Sequence, residues 1–162
     1  LTYRNVGDLD LWGADLALQW SLSQEWTLGA TYSHVSENWF RLDGGALALN
    51  APTEKATLSV AYRNEGWGLN ASTRVRYTGE FPVQSTNFVG TKCISDAPAN
   101  PFQEECIDRY ALVDLVLGYR VPKTAAMVQL AVTNVLNTPY RSFVGVPSVG
   151  RLAMARVRYD LF

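Results

Sequence analysis

Eight residues carry most of the chemistry available to this 162-residue chain: Asp15, Lys55, Arg74, Arg76, Asp114, Gln129, Arg156 and Arg158. Guanidinium, ammonium, carboxylate and carboxamide groups of this kind can hold a polypeptide by ion pairs and hydrogen bonds, line a polar ligand path, or face water. They do not make a reaction centre. Asp15 and Asp114 form no credible acid–base pair, no nucleophile stands beside a base, and no Gly-rich phosphate loop is present, so the expectation is that the chain is not an enzyme. His34 is the only histidine. It could touch iron, but a lone histidine near a strand end reads first as polar surface, so neither a metal nor a cofactor is expected. A second group, Trp39, Phe40, Phe81, Phe88 and Phe143, falls in long connecting segments. Those rings could stack on a hydrophobic ligand or simply pack the loops. Cys93 and Cys106 bracket KCISDAPANPFQEEC, a polar stretch rich in Pro and acids, and read as a disulfide stapling an exposed loop in an oxidising compartment.

The elements that position these groups alternate with a period of two, which sends successive side chains to opposite faces of a strand. Near Asp10 to Leu22, Trp12, Ala14, Leu16, Leu18, Trp20 and Leu22 share one face, and Gly13, Asp15, Ala17, Gln19 and Ser21 the other. The alternation recurs from Trp26, from Lys55 and from Trp67. It returns over Arg109–Val121, with Leu112 and Val116 as apolar exceptions, over Ala126–Leu136, and in the last segment. There Ala153, Ala155, Val157, Tyr159 and Leu161 oppose Met154, Arg156, Arg158 and Asp160. Seven strands of about ten to thirteen residues follow. Short turns (Ser23-Gln24-Glu25, Asn64-Glu65-Gly66, Pro122-Lys123-Thr124-Ala125) alternate strictly with long loops, about 37–50, 81–107 and 137–150.

That asymmetry predicts an all-β fold: an antiparallel transmembrane β-barrel segment with short periplasmic turns and long extracellular loops. A tilted spanning strand needs about 9–11 residues, whereas ordinary strands peak at about 5–6. Trp20, Trp26, Tyr62, Trp67 and Tyr119 lie near the short turns, and Trp12, Tyr32, Tyr77 and Tyr140 near the opposite ends, as interfacial girdles would. Composition agrees: 48% of residues are hydrophobic and only 18% charged, with a formal net charge of −1. Nucleic acid is therefore not an expected partner. No apolar run approaches the roughly 20 residues of a spanning helix.

Several segments together resemble the carboxy-terminal barrel of TonB-dependent outer-membrane receptors. They are YRNVGDLDLWGADLAL (Tyr3 to Leu18), the Ala51–Leu58 opening, YALVDLVLGYRV (Tyr110 to Val121), LAVTNVLNTPYRSFVGVPSVGR (Leu130 to Arg151) and the terminal Phe162. Phe162 departs from the pattern by falling one step out of phase with Val157, Tyr159 and Leu161. The resemblance implies a barrel of about 22 strands around a plug, set in the outer membrane of a Gram-negative type cell. It implies uptake of a scarce ligand, such as a ferric siderophore, cobalamin or a glycan. The implied partners are outer-membrane lipid, the plug and remaining barrel strands, the TonB complex through the plug, and the barrel-assembly machinery through the last strand.

Residues 1–162 would then be the carboxy-terminal portion of such a barrel, without the plug and the earlier strands. An odd number of strands supports that expectation, because an up-and-down antiparallel barrel closes only with an even number. The alternative is a small self-contained outer-membrane barrel with a structural or adhesive role. A soluble ligand-binding barrel fits poorly, since it would put Trp and Leu outward and Arg inward.

Overall fold

A computed structural model of the chain describes residues 7–42, 45–85, 87–97 and 102–160. Among these residues there are twelve strands and no helix. Seven strands make one sheet: β1 (Gly13–Ser21), β2 (Trp26–Val35), β5 (Glu54–Asn64), β6 (Leu69–Thr78), β10 (Tyr110–Arg120), β11 (Ala126–Thr133) and β12 (Leu152–Tyr159). They stand side by side in chain order, every pair antiparallel. β1 and β12 are the two edges, so the sheet is open.

The short turns pin the register with their own side chains. The Ser23 hydroxyl accepts the backbone N–H groups of Glu25 and Trp26, at 3.1 and 3.2 Å, and closes β1 onto β2. Asn64 Oδ1 accepts the Trp67 N–H at 2.9 Å. Gly68 completes that turn at φ +69°, where a Cβ would meet the Arg120 carbonyl oxygen at 2.6 Å. Only glycine allows both the conformation and the close approach of β10. Thr124 donates to the Val121 carbonyl at 2.9 Å and accepts the Ala126 N–H at 3.2 Å, closing β10 onto β11.

With register fixed, each face is decided for the whole sheet. One continuous row reads Trp20, Leu28, Val60, Thr73, Leu115, Val132 and Ala153. The adjacent row on the other face reads Gln19, Gly29, Ser59, Arg74 and Asp114. The apolar face is uncovered: Leu16, Leu18, Trp20, Leu58 and Val157 are all exposed, Leu58 by 60%. The buried residues gather elsewhere. Phe81, Val83, Ile107 and Val144 form a small core among the loops.

The structure amends several sequence expectations. The sheet strands run 8 to 11 residues: β2, β5, β6 and β10 reach the anticipated length, and β1, β11 and β12 fall short of it. Residues at their ends are used to turn the chain, and Trp67 sits in the turn before β6. The long loops carry strands of their own: a hairpin of β3 (Trp39–Leu42) with β4 (Gly45–Ala48), and a three-stranded patch of β7 (Val83–Gln84), β8 (Val89–Gly90) and β9 (Gln103–Glu104). Tyr140 does not join an outward girdle. Its ring lies 4.8 Å from that of Tyr110, whose register places it on the charged face. Leu112, an apolar exception on that face, is only 1% exposed, which explains its side chain. Residues 3–6 of the first resembling segment, Asp43-Gly44, Leu161 and the phase of Phe162 lie outside the described residues.

An uncovered sheet face this apolar needs an apolar solvent. Leu58→Arg is expected to cost about 2–4 kcal/mol of barrel stability at mid-depth in a bilayer, whereas Thr57→Arg on the opposite face costs little. Gel mobility of the heat-resistant folded form against the denatured form would read both variants. Equal losses would mean that the two faces meet the same environment.

Candidate functional site

All eight charged or amide candidates lie on one face of the sheet, but the structure gathers only three of them. Asp114 stands directly opposite Arg74 across the β6–β10 pair. Arg76 grips the same carboxylate in a fork, Nε to Oδ2 at 2.8 Å and Nη2 to Oδ1 at 3.2 Å. Asp15 and Lys55 share a row with Ser33 between them and form no ion pair. Gln129 pairs in register with Arg156, and Arg158 with Met127, nearer the short turns.

Asp114 has a third partner, which sequence reasoning missed. Its Oδ1 accepts the backbone N–H of Asn134 at 3.0 Å. Asn134 is only 2% exposed. Its side chain closes a small ring, donating from Nδ2 to the Thr138 carbonyl at 2.8 Å and accepting the Thr138 N–H at 2.9 Å. Three residues on, Asn137 Oδ1 accepts the Arg151 N–H at 2.9 Å, just before β12 starts. Both asparagines have left-handed backbones, φ 53° and 55°. Asparagine tolerates that region because its short amide bonds locally. The run Asn134-Val135-Leu136-Asn137 is therefore a double clamp. It fixes how the last loop leaves β11 and how it re-enters the sheet. The signal was visible as two asparagines three apart before Thr138-Pro139.

From that clamp the loop carries Pro139, Tyr140 and Arg141 over the charged face. Opposite stands the disulfide loop. Cys93 and Cys106 are bonded, their Cα atoms 5.8 Å apart. The Lys92 ammonium bonds Glu105 at 3.1 Å, and Gln103 Nε2 donates to the Thr91 hydroxyl at 3.0 Å. Between the two loops lies a cavity of about 400 Å³, whose lining includes Glu105, Asp108, Arg109, Tyr110, Tyr140 and Arg141. The β3–β4 hairpin joins the same cap. Asn50 and Gln84 exchange hydrogen bonds at 2.6 and 3.0 Å, and Arg41 pairs with Asp96.

The loop aromatics divide. Phe40 and Phe81 are buried, and Phe143 packs against the loop core. Phe88 is exposed on one side and lies against Gly145 on the other, where a Cβ would meet its ring at 2.6 Å. Trp39 is half-buried, its indole N–H enclosed without an acceptor among the described residues. His34 lies 5.3 Å from Trp12, ring to ring, on the face opposite Asp15 and Lys55. Among the described residues no cluster of three His, Cys, Asp or Glu side chains could hold a metal ion.

A sheet with one greasy and one charged face, short turns at one end and an ordered loop cap at the other, is matched at the family level. The TonB dependent receptor-like β-barrel family matches residues 1–135. The chain belongs to that family. No curated protein matches it. Among solved structures it is similar to the P. aeruginosa receptor FpvA bound to heterologous pyoverdines, at TM-score 0.68 and 20% identity over 92% of this chain and 19% of that one. The ferric-catecholate import receptor Fiu of E. coli aligns at TM-score 0.59 and 18% identity over 91% of this chain and 21% of that one. The siderophore receptor PiuA of Acinetobacter baumannii aligns at TM-score 0.58 and 16% identity, over 91% and 22%. The chain thus spans about a fifth of the length of these receptors.

The clamp can be tested directly. Asn134→Ala removes both bonds to Thr138 and leaves its partly buried backbone groups unpaired, at a cost of about 1–3 kcal/mol. Hydrogen exchange should accelerate at Thr138 while β5 and β6 keep their protection; unchanged exchange at Thr138 would exclude the clamp. Reducing Cys93–Cys106, a closed loop of similar size to those worth about 3 kcal/mol, should likewise speed exchange at Thr91 and Lys92. The β1–β2 pair serves as the internal control.

Proposed function

We propose that this chain is part of the barrel wall of an outer-membrane TonB-dependent transport receptor, and that the whole receptor takes up a scarce, bulky ligand. A ferric siderophore is the class favoured first, because the solved receptors it resembles include a ferric-catecholate importer and a siderophore receptor. The apolar face meets lipid. The face bearing Asp15, Lys55, Arg74, Arg76, Asp114, Gln129, Arg156 and Arg158 lines the lumen and contacts the plug. The loop cap stands outside, where the cavity between the disulfide loop and the Pro139–Ser148 segment meets the ligand. Of the five loop aromatics singled out in the sequence, Phe88 is the most exposed, and none of the five lines that cavity. Energy arrives from the TonB complex through the plug, and the last strand is what the barrel-assembly machinery reads.

One observation carries this reading: a seven-stranded antiparallel sheet whose uncovered face is apolar and whose other face is charged, in a chain of this family. Its edges also argue against a self-contained structural barrel of these seven strands, since an open sheet edge is not tolerated in hydrocarbon.

The test is uptake. Cells lacking their own siderophore receptors and expressing the intact receptor should accumulate iron from at least one ferric siderophore. Accumulation should stop when TonB is removed. Uptake that persists without TonB, or protein found only in the soluble fraction, would overturn the proposal.

A further inference from the structure

The cavity under the loops is lined by charges that are not spent on one another. Glu104, Glu105 and Asp108 come from the disulfide loop and the approach to β10, with Arg109 just after them, and Arg141 comes from the last loop. Carboxylates therefore outnumber guanidiniums. Only Glu105 is engaged, by the Lys92 ammonium at 3.1 Å. Glu104, Asp108, Arg109 and Arg141 form no ion pair among the described residues. The next charges along the same face of β10 offer no relief, because Asp114 and Arg76 are paired with each other. Tyr110 and Tyr140 line the same space, half-buried, with ring centroids 4.8 Å apart and planes tilted by 37°. Neither phenol hydroxyl makes a hydrogen bond among the described residues. At about 400 Å³ the cavity has the size of a small-molecule site.

A ligand has to answer that lining, because polar groups dried on contact are costly when left unpaired. Ferric chelates differ most in charge. Three doubly charged catecholates around trivalent iron make a trianion. Such a ligand would press its charge on Glu104 and Asp108 with no surplus of arginine to offset them, and like charges set against each other oppose binding. Three singly charged hydroxamates neutralise the iron and leave an uncharged core. The carbonyl oxygens of a chelate of that kind can accept from the two phenols and the free guanidiniums, while its N–H or ammonium groups donate to Asp108 and Glu104. Resting on the transport reading above, we infer that this cavity selects among ferric siderophores by charge. It takes an uncharged or cationic, amide-rich chelate of the hydroxamate type and turns away the trianionic tris-catecholates. Glu104 and Asp108 set the preference, and Tyr110 and Tyr140 supply hydroxyl donors to the chelate.

Binding is measured on the intact receptor in outer-membrane vesicles, with chelates of radiolabelled iron and no energy source. Ferrioxamine B and ferrichrome serve as tris-hydroxamates, and ferric enterobactin as the tris-catecholate. At least one hydroxamate should bind about tenfold more tightly than ferric enterobactin. Glu104→Lys combined with Asp108→Lys should raise the affinity for ferric enterobactin about tenfold and lower that for ferrioxamine B, whose free end is an ammonium. Glu104→Gln with Asp108→Asn should fall between. Both side chains are exposed, so the fold should stand, and the gel mobility of the heat-resistant form checks it. Ferric enterobactin bound as tightly as both hydroxamates, or a ratio that neither pair of substitutions moves in the folded receptor, would overturn the inference. TonB-dependent uptake in cells is scored separately. Uptake with the opposite charge preference removes the selection and leaves the transport reading standing, whereas the absence of uptake of every ferric chelate removes both.

Discussion

The structure depends on the fact that a backbone crossing hydrocarbon must satisfy its own hydrogen bonds. No water is available there, so every N–H and C=O left unpaired is costly. A sheet meets that demand only by pairing each strand on both sides. Five of the seven long strands here are paired on both sides, and β1 and β12 on one. Side-chain chemistry follows from the same constraint. With the backbone spent on the ladder, one face must suit oil and the other an aqueous interior, and a single-residue slip would exchange the two. The short turns are therefore more than connectors. Ser23, Asn64, Gly68 and Thr124 lock the register on which the separation of Leu58 from Arg74 depends.

Where the strands leave the membrane, a different force takes over. The loop end is held by a small apolar core and a polar knot. Phe81, Val83, Ile107 and Val144 bring two loops together, with Tyr110 at the start of β10 packed against them. The knot ties that cap to the wall, because Asp114 bonds Arg76 on the neighbouring strand and Asn134 at the root of the last loop. A carboxylate with three donors is well satisfied. Removing any one would leave partly buried charge or backbone exposed to loss, which is how such networks fix a single geometry. The cavity under the loops inherits its shape from this arrangement, with Tyr110 supplied by the wall and Tyr140 by the clamped loop.

Much of the sheet was legible in the sequence because a period of two, repeated seven times and punctuated by polar turns, is a strong signal. It gave the strand count of the sheet, the placement of all eight charged candidates on one shared face and the alternation of short and long connections. Strand ends were less legible. Trp12, Val121 and Leu136 continue the alternation but lie beyond the ladders, since periodicity does not say where pairing stops. The loops were least legible. Strands as short as Val83–Gln84 and Val89–Gly90 have no period to read, and their pairing comes from contacts distant in sequence, such as Gln84 with Asn50. Phe40 and Phe81 were visible as loop aromatics, but which rings would be buried was decided by the loop core. Asn134 was quoted within a motif, yet its role needed the position of Asp114, twenty residues earlier.

The two ends of the sheet also divide their work along the strand axis. At the loop end three ion pairs form, and of these only Arg76–Asp114 is partly buried, Lys92–Glu105 and Arg41–Asp96 being solvent-exposed. At the turn end the pairs that form, Arg63–Glu65 and Arg158–Asp160, are solvent-exposed and so contribute little. Arg120 and Arg156 remain free of any ion pair among the described residues. The loop cap, held by the disulfide and its hydrogen bonds, encloses a preformed cavity, which lowers the ordering cost of a contact made there. The same seven strands can thus carry an ordered loop cap at one end and exposed ion pairs at the other, because the ladder that joins them is indifferent to what its side chains carry.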